Sequence, residues 1–431
     1  MLPSAFRRTV RGMRDLLPDE AEKLRYIEMK TRQLARLHGY REVITPVVEH
    51  YELLAAKVGE ENRKRMYVFK DFGGRMVALR PEFTASVARL VATKMRSFPK
   101  PLRLFSVGSL YRYDEPQFGR YREFWQANYE LFGSKMPEAD AEILELTDNL
   151  MKEIGLRNYF FKIGHVGVLR NILSREGVAE NQQNSIMQLL DKKQQDDALN
   201  LAKNSGVSQT GLNTLRNLLE IRGNDPNKVI QKIAERVKNY SEAKEAIENL
   251  SEIIRLAEAS GTDAKLVLDA GFARGLEYYT GMIFEIYVPQ MDIALGGGGR
   301  YDRLIEVFGG GSIPAVGVAP GIDRLALALE QQGTVLHLGE KRKVLVIPVN
   351  RELLGEAFRV SSLLKKHGLP AEVEVMGRSV SKALSEADKR GISHAVILGP
   401  REVKEGKVVL RHLNKRRQET VDLSKLTESI T

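Results

Sequence analysis

Arg112-Tyr-Asp-Glu-Pro-Gln-Phe-Gly-Arg120-Tyr-Arg122-Glu-Phe-Trp-Gln126-Ala-Asn-Tyr-Glu130 reads as the end of one strand, a polar turn carrying Pro116 and Gly119, and a returning strand. Side chains alternate along a strand, so Phe124, Gln126, Asn128 and Glu130 share one face. Such a row is a poor apolar core and a good floor for a pocket that takes a polar, cationic substrate. A solvent-facing sheet edge would produce the same pattern, and the stretch alone leaves both readings open.

Working outward, the runs Met76–Leu79, Leu102–Leu110 and Phe124–Phe132 predict strands, with a helix over Pro81–Arg96. Upstream, Pro18-Asp19-Glu20 is a helix start with acids where the macrodipole favours them. Leu24, Ile27, Thr31 and Leu34 continue it at helical spacing to Gly39, and Tyr40–Thr45 follows as a strand closed by Pro46. Downstream come a helix at Leu144–Glu153 and a strand at Tyr159–Ile163. Residues 171–259 are rich in Gln, Asn, Lys and Glu with repeated helical periods, and read as an all-helical insertion. Strands are expected again at Leu266–Asp269, Met282–Val288 and Ile293–Leu295, then a helix near Gly321. After a linker at Gln331–Lys343, strand and helix alternate through Leu398, and a last hairpin is expected to turn at Glu405-Gly406. That alternation argues for a separate small α/β domain.

The chain has 431 residues, with 43% hydrophobic and 28% charged, the composition of a folded chain long enough for two or three domains. No apolar run approaches the ~18 residues of a membrane span. Cysteine is absent, which excludes disulfides, thiol catalysis and cysteine-based zinc sites. The seven histidines are scattered without ligand spacing. The N-terminus has arginines but no apolar core of a signal peptide, and reads as a basic surface arm rather than a transit peptide. A net charge of +10 suits a polyanionic partner such as RNA.

Four further segments flank the opening stretch: Leu79-Arg-Pro-Glu82-Phe-Thr84, Arg274-Gly-Leu-Glu-Tyr278-Tyr279-Thr-Gly281, Leu295-Gly-Gly-Gly-Gly299-Arg300-Tyr-Asp302 and Ala315-Val-Gly-Val-Ala-Pro-Gly321-Ile-Asp-Arg324. In this order they resemble the histidyl-tRNA synthetase family of class II aminoacyl-tRNA synthetases. The resemblance covers nearly the whole chain, with the helical insertion poorly matched. It implies an α+β fold: an antiparallel sheet with flanking helices, a helical insertion domain and a C-terminal α/β anticodon-binding domain. The implied division is 1–170 and 261–330 for the catalytic core, 171–260 for the insertion and 331–431 for the anticodon domain.

The activity implied is that of a ligase. It activates L-histidine with ATP to histidyl-adenylate and pyrophosphate, then transfers histidine to the 3′ end of tRNA(His). ATP is a substrate and Mg²⁺ its companion; a cytoplasmic homodimer is implied, its interface built on the Leu24–Pro46 helix and strand. On the matching positions, Arg112 and Arg274 are catalytic, and Arg112, Arg120, Arg274 and Arg324 bind ATP. Glu82, Thr84, Gln126, Glu130, Tyr278 and Tyr279 bind histidine. The loop Asp114–Tyr121 is expected at the tRNA acceptor end. Lys341–Lys343 and Lys415–Arg417 are basic clusters in or beside the anticodon domain. The chain departs from the family's usual pattern at Phe272-Ala273, Glu277 and Asp323, none a presumed ligand. Two alternatives remain: a non-catalytic regulatory subunit of ATP phosphoribosyltransferase, and an RNA-binding regulator on the same scaffold. Retained arginines and the C-terminal domain weigh against the first, and intact Glu82, Gln126 and Glu130 against the second.

Overall fold

Ten consecutive pairings, from Leu102↔Phe132 to Tyr111↔Glu123, join the strands Leu102–Tyr111 and Glu123–Phe132 antiparallel around the loop that opens the sequence reading. The computed structural model describes residues 7–56, 59–274, 277–336 and 343–430. Gly275 and Leu276 of the Arg274 segment, and Lys341 and Arg342 of the first basic cluster, lie outside the described residues.

The chain forms two units, Met1–Leu336 and His337–Thr431. The first is built on a nine-stranded sheet. Its order is Arg41–Glu42, Leu102–Tyr111, Glu123–Phe132, Ala315–Pro320, Gly296–Arg300, Met282–Tyr287, Phe160–His165, Lys265–Asp269, Arg222–Gly223. The interior pairings are antiparallel. Only Arg41–Glu42 with Leu104–Phe105, and Phe160–Ile163 with Lys265–Leu268, run parallel. Helices Pro18–Leu37 and Pro137–Glu153 bury their apolar stripes in the same core as the sheet. Leu24, Ile27 and Leu34 are buried at the spacing read from sequence, and Glu20 caps the first helix by accepting from Leu17 N at 3.0 Å. Residues 166–259 form six helices joined by short turns, with one two-residue strand at Arg222–Gly223. Ser208 and Asp225 cap two of the helices through Gly211 N and Lys228 N.

Three expectations in this unit need correction. Ile293–Leu295 is not a strand; the strand is the glycine run Gly296–Arg300. Glycine is a poor strand former, but here the neighbouring chains come too close for side chains. A Cβ at Gly298 would overlap the Gly317 carbonyl on the adjacent strand. The strand after Tyr40 is only Arg41–Glu42, and the helix read over Pro81–Arg96 is Thr84–Thr93.

The second unit is a five-stranded sheet in the order Ala371–Val373, Val344–Pro348, His394–Leu398, Lys407–His412, Arg417–Asp422. Its first three strands are parallel and the last two form a hairpin. That hairpin turns at residues 413–416, not at Glu405-Gly406, which follows the short helix Pro400–Lys404. The sequence misleads because Arg416, not a glycine, takes the left-handed position at φ 50°. No described helix is long and apolar enough to cross a membrane.

Candidate active site

The Glu123–Phe132 strand sends Ala127, Tyr129 and Leu131 into the core and Gln126, Asn128 and Glu130 to the opposite side, where they line a cavity of about 660 Å³. Period-two alternation alone separates the two rows. Glu130 is 1% exposed. Asn128 Nδ2 donates to its Oε1 at 2.8 Å, while Oε2 is buried and makes no hydrogen bond among the described residues. Burial raises the Glu130 carboxyl to about 8, with nearby Glu82 adding to the effect and the Thr84 and Asn128 side chains opposing it.

Glu82 sits two residues before the helix Thr84–Thr93 and faces this row. Its Oε1 accepts from Ala85 N at 3.3 Å, and the Tyr278 hydroxyl donates to its Oε2 at 3.1 Å. One carboxylate thus both accepts from the first turn of the helix and faces the cavity. Burial also raises its carboxyl, against the attraction of Arg112. Tyr278 and Tyr279 close the wall with ring centroids 4.9 Å apart. Beyond them Gln188 Nε2 donates to Glu277 at 3.1 Å, tying this segment to the helix Glu180–Asp191.

Arg274 enters from the far side. It donates to the Phe284 carbonyl at 3.3 Å and stands 3.8 Å from Glu285. The glycine strand explains how it fits: a Cβ at Gly297 would overlap the Arg274 guanidinium, and one at Gly317 would overlap Glu130 Oε2. These glycines make room for the site's own side chains.

A second chamber, about 450 Å³, adjoins the first and shares Arg112, Gln126, Gly296, Ala319 and Arg324 with it. Here Arg112, Arg120 and Arg324 face one space. Arg112 Nε donates to the Pro81 carbonyl at 2.9 Å, and its guanidinium lies 5.1 Å from the Phe124 ring centroid. Arg324 holds the loop by donating to Gly119 O at 3.1 Å, and to Ala294 O at 2.7 Å. Burial, then the like charges of Arg112 and Arg120, lower the Arg324 guanidinium to about 10. Such mutual repulsion is relieved by a bound polyanion.

All ten site residues read from sequence line these two chambers. The sequence reading missed Glu285, which faces Arg274; a lone acid in the apolar strand Met-Ile-Phe-Glu-Ile-Tyr was its signal. It also missed Arg65, which forms an ion pair with Asp114 at the base of the loop. No local pattern marks that pair. Glu277 and Asp323 keep defined partners, Asp323 being 4% exposed and accepting from Trp125 N.

The histidyl-tRNA synthetase profile matches residues 12–325, and the anticodon binding domain profile matches residues 343–431. A histidine–tRNA ligase of Methanocaldococcus jannaschii is 40% identical over 419 residues, 97% of this chain and 98% of that protein. The chain belongs to the histidyl-tRNA synthetase family. A second member, the histidine–tRNA ligase of Pyrococcus furiosus, is 38% identical over 425 residues, 97% of both chains. Among solved structures, histidyl-tRNA synthetase from Nostoc superposes with TM-score 0.80 at 23% identity over 98% of each chain, a likeness of fold. A Bacillus halodurans protein described as an ATP phosphoribosyltransferase regulatory subunit/histidyl-tRNA synthetase superposes with TM-score 0.77 at 26% identity. It covers 89% of this chain and 97% of its own. The histidyl-tRNA synthetase fold thus accounts for the class II sheet and the separate C-terminal sheet.

Proposed function

We propose that this chain is a histidine–tRNA ligase: it activates L-histidine with ATP and transfers the histidyl group to tRNA(His). The observation that carries the reading is the junction of two unlike chambers at Arg112. Arg112 and Arg324 line both; one adds Glu82, Glu130, two tyrosines and Arg274 to them, and the other adds Arg120. A substrate cationic at one end and anionic at the other fits the first, and a polyphosphate fits the second.

In this reading Glu82, Thr84 and Gln126 accept from the histidine ammonium, which has three donors to satisfy. Glu130, Tyr278 and Tyr279 surround the imidazole. An apolar analogue would strand those buried polar groups, which discriminates strongly. The histidine carboxylate lies toward Arg112 and Arg274, and the ATP phosphates run along Arg112, Arg120, Arg274 and Arg324. A carboxylate oxygen bonds to the α-phosphorus as the bond to pyrophosphate breaks. The arginines stabilise the charge carried through that in-line step, so positioning and electrostatics suffice without a protein nucleophile. The terminal ribose hydroxyl of tRNA then attacks the activated carbonyl and AMP leaves.

Mg²⁺ enters this scheme as the counter-ion of the ATP phosphates. Among the described residues no group of three or more His, Asp or Glu side chains forms a metal cage.

Residues 1–170 and 261–330 carry the activation chemistry in this proposal, residues 171–260 are an inserted helical domain, and residues 331–431 bind the anticodon. The loop Asp114–Tyr121 meets the acceptor end, and the clusters Lys341–Lys343 and Lys415–Arg417 meet RNA phosphates. In a homodimer built on the Leu24–Pro46 helix and strand, a second copy covers the exposed apolar side chain of Ile44 and those of Val48, Val68, Phe72 and Met76. Its place of action is the cytoplasm.

Histidine-dependent ATP–pyrophosphate exchange tests the assignment and separates it from the regulatory-subunit reading. Arg274→Ala is expected to lower exchange by about a hundredfold or more while the protein keeps its fold and dimer. Near-normal exchange in that variant overturns it.

A further inference from the structure

Residues 10–14, which follow the basic N-terminal arm, are tied to the Asp114–Tyr121 loop. Val10 O accepts from Met13 N at 2.9 Å, closing a turn with Gly12 at φ 83°. Gly12 O accepts the backbone N–H of Arg122 at 2.8 Å, at the end of the Asp114–Tyr121 loop. A Cβ on Gly12 would come within 2.7 Å of the Arg122 side chain and 2.9 Å of Pro116. Arg11 pairs with Glu115 near the loop tip at 2.7 Å.

Arg14 reaches further in. Its guanidinium stacks 3.4 Å from the Tyr121 ring centroid and pairs with the buried Asp323 carboxylate. The other oxygen of Asp323 accepts from Trp125 N. Tyr121, Trp125 and Asp323 all line the chamber that holds Arg120, and Arg324, next to Asp323, donates to Gly119 O. The loop is thus held at its return by Gly12, at Tyr121 by Arg14 and at Gly119 by Arg324.

We propose that Val10–Arg14 is a positioning strap for the nucleotide side of the site, Gly12 and Arg14 setting the loop Asp114–Tyr121 and the helix start at Asp323 in the arrangement that receives ATP. This rests on reading the chamber that holds Arg120 as the ATP site. Arg14 lines neither chamber and acts through Tyr121 and Asp323. Its guanidinium serves both partners at once, a planar face for the ring and donors for the carboxylate. Loss of the strap loosens the Tyr121 and Asp323 walls of this chamber and leaves Glu82, Glu130, Tyr278 and Tyr279, which it does not touch, in place.

The test is a split in kinetic constants. Arg14→Ala is expected to raise the KM for ATP in pyrophosphate exchange about tenfold, the scale of one charge-assisted contact. The KM for histidine should stay within about twofold, because the altered site is not in its chamber. Arg14→Lys recovers part of the loss, keeping the charge toward Asp323 but not the planar stack. Gly12→Ala, which leaves Arg14 in place, shifts the KM for ATP in the same direction. The double variant is no worse than the more severe single, since both changes release one unit. Trp125 is the only tryptophan, so its fluorescence during ATP titration reports the chamber directly. An unchanged KM for ATP in both single variants, or equal rises for ATP and histidine, overturns the proposal. If the wild type itself shows no exchange, the synthetase reading fails instead, and the ATP titration of Trp125 in wild type and Arg14→Ala still decides the strap.

Discussion

Glu130→Gln separates the charge of the proposed histidine pocket from its shape. Burial raises this carboxyl from an ordinary 4.5 to about 8, so the empty pocket holds it protonated at neutral pH. A carboxyl whose folded value lies above its unfolded value contributes stability that is complete below the unfolded value. That contribution is lost as pH rises through the folded one. The window is therefore 4.5 to about 8. At about 1.4 kcal/mol for each pH unit, the interval corresponds to about 5 kcal/mol against ionised Glu130 in the empty pocket. Glutamine keeps the acceptor for Asn128 Nδ2 and never ionises. Wild type and Glu130→Gln should thus be nearly equal in stability at pH 5, and the variant should become progressively more stable toward pH 8. Urea unfolding of the histidine-free protein at pH 5, 6.5 and 8, followed by Trp125 fluorescence, measures the difference within the unit that contains the site. Adding histidine should narrow the gap, because a cationic ring compensates the ionised carboxylate, and the variant should bind histidine about tenfold or more weakly. Parallel pH profiles for the two proteins would refute the argument that burial governs this carboxyl.

Three other outcomes follow from the same reasoning. Burial pushes His165 down to about 4, and among the described residues its Nδ1 makes no hydrogen bond. A histidine depressed from 6.5 contributes stability that is present above 6.5 and lost as pH falls toward 4. His165→Gln should flatten the acid limb of the stability curve by about 3 kcal/mol, read by denaturant titration between pH 7 and 4. Asp140 is fully buried against Arg300, and Asp140→Ala leaves that guanidinium with Asp302 as its remaining carboxylate; a loss of about 3–5 kcal/mol in unfolding free energy is expected. Gly317→Ala places a methyl on Glu130 Oε2, and calorimetry should show histidine binding reduced more than ATP binding.

The site was readable from sequence where one local rule sufficed. Gln126, Asn128 and Glu130 fall in a row because strands have a period of two, and that row lines the cavity wherever the strand pairs. The helix Pro18–Leu37 was marked by Pro18, its first-turn acids and its apolar spacing. The hairpin at residues 413–416 was misplaced because its left-handed residue is an arginine, and turn rules weigh glycine. The strand Gly296–Arg300 was misplaced for the opposite reason, since glycine argues locally against a strand.

The sequence by itself determined which residue types were present at which spacing: the arginines, the acid row, the paired tyrosines, and the alternation of the second unit. Only the tertiary structure decided what they became. Tyr278 and Glu82 are 196 residues apart in sequence and share a hydrogen bond. Arg14 and Asp323, 309 apart, share an ion pair. Glu130 titrates near 8 only because other parts of the chain exclude water from it. Spacing is a property of the local backbone, which periodicity reads directly. Burial and charge compensation depend on what the rest of the fold brings alongside, and no window of sequence contains that.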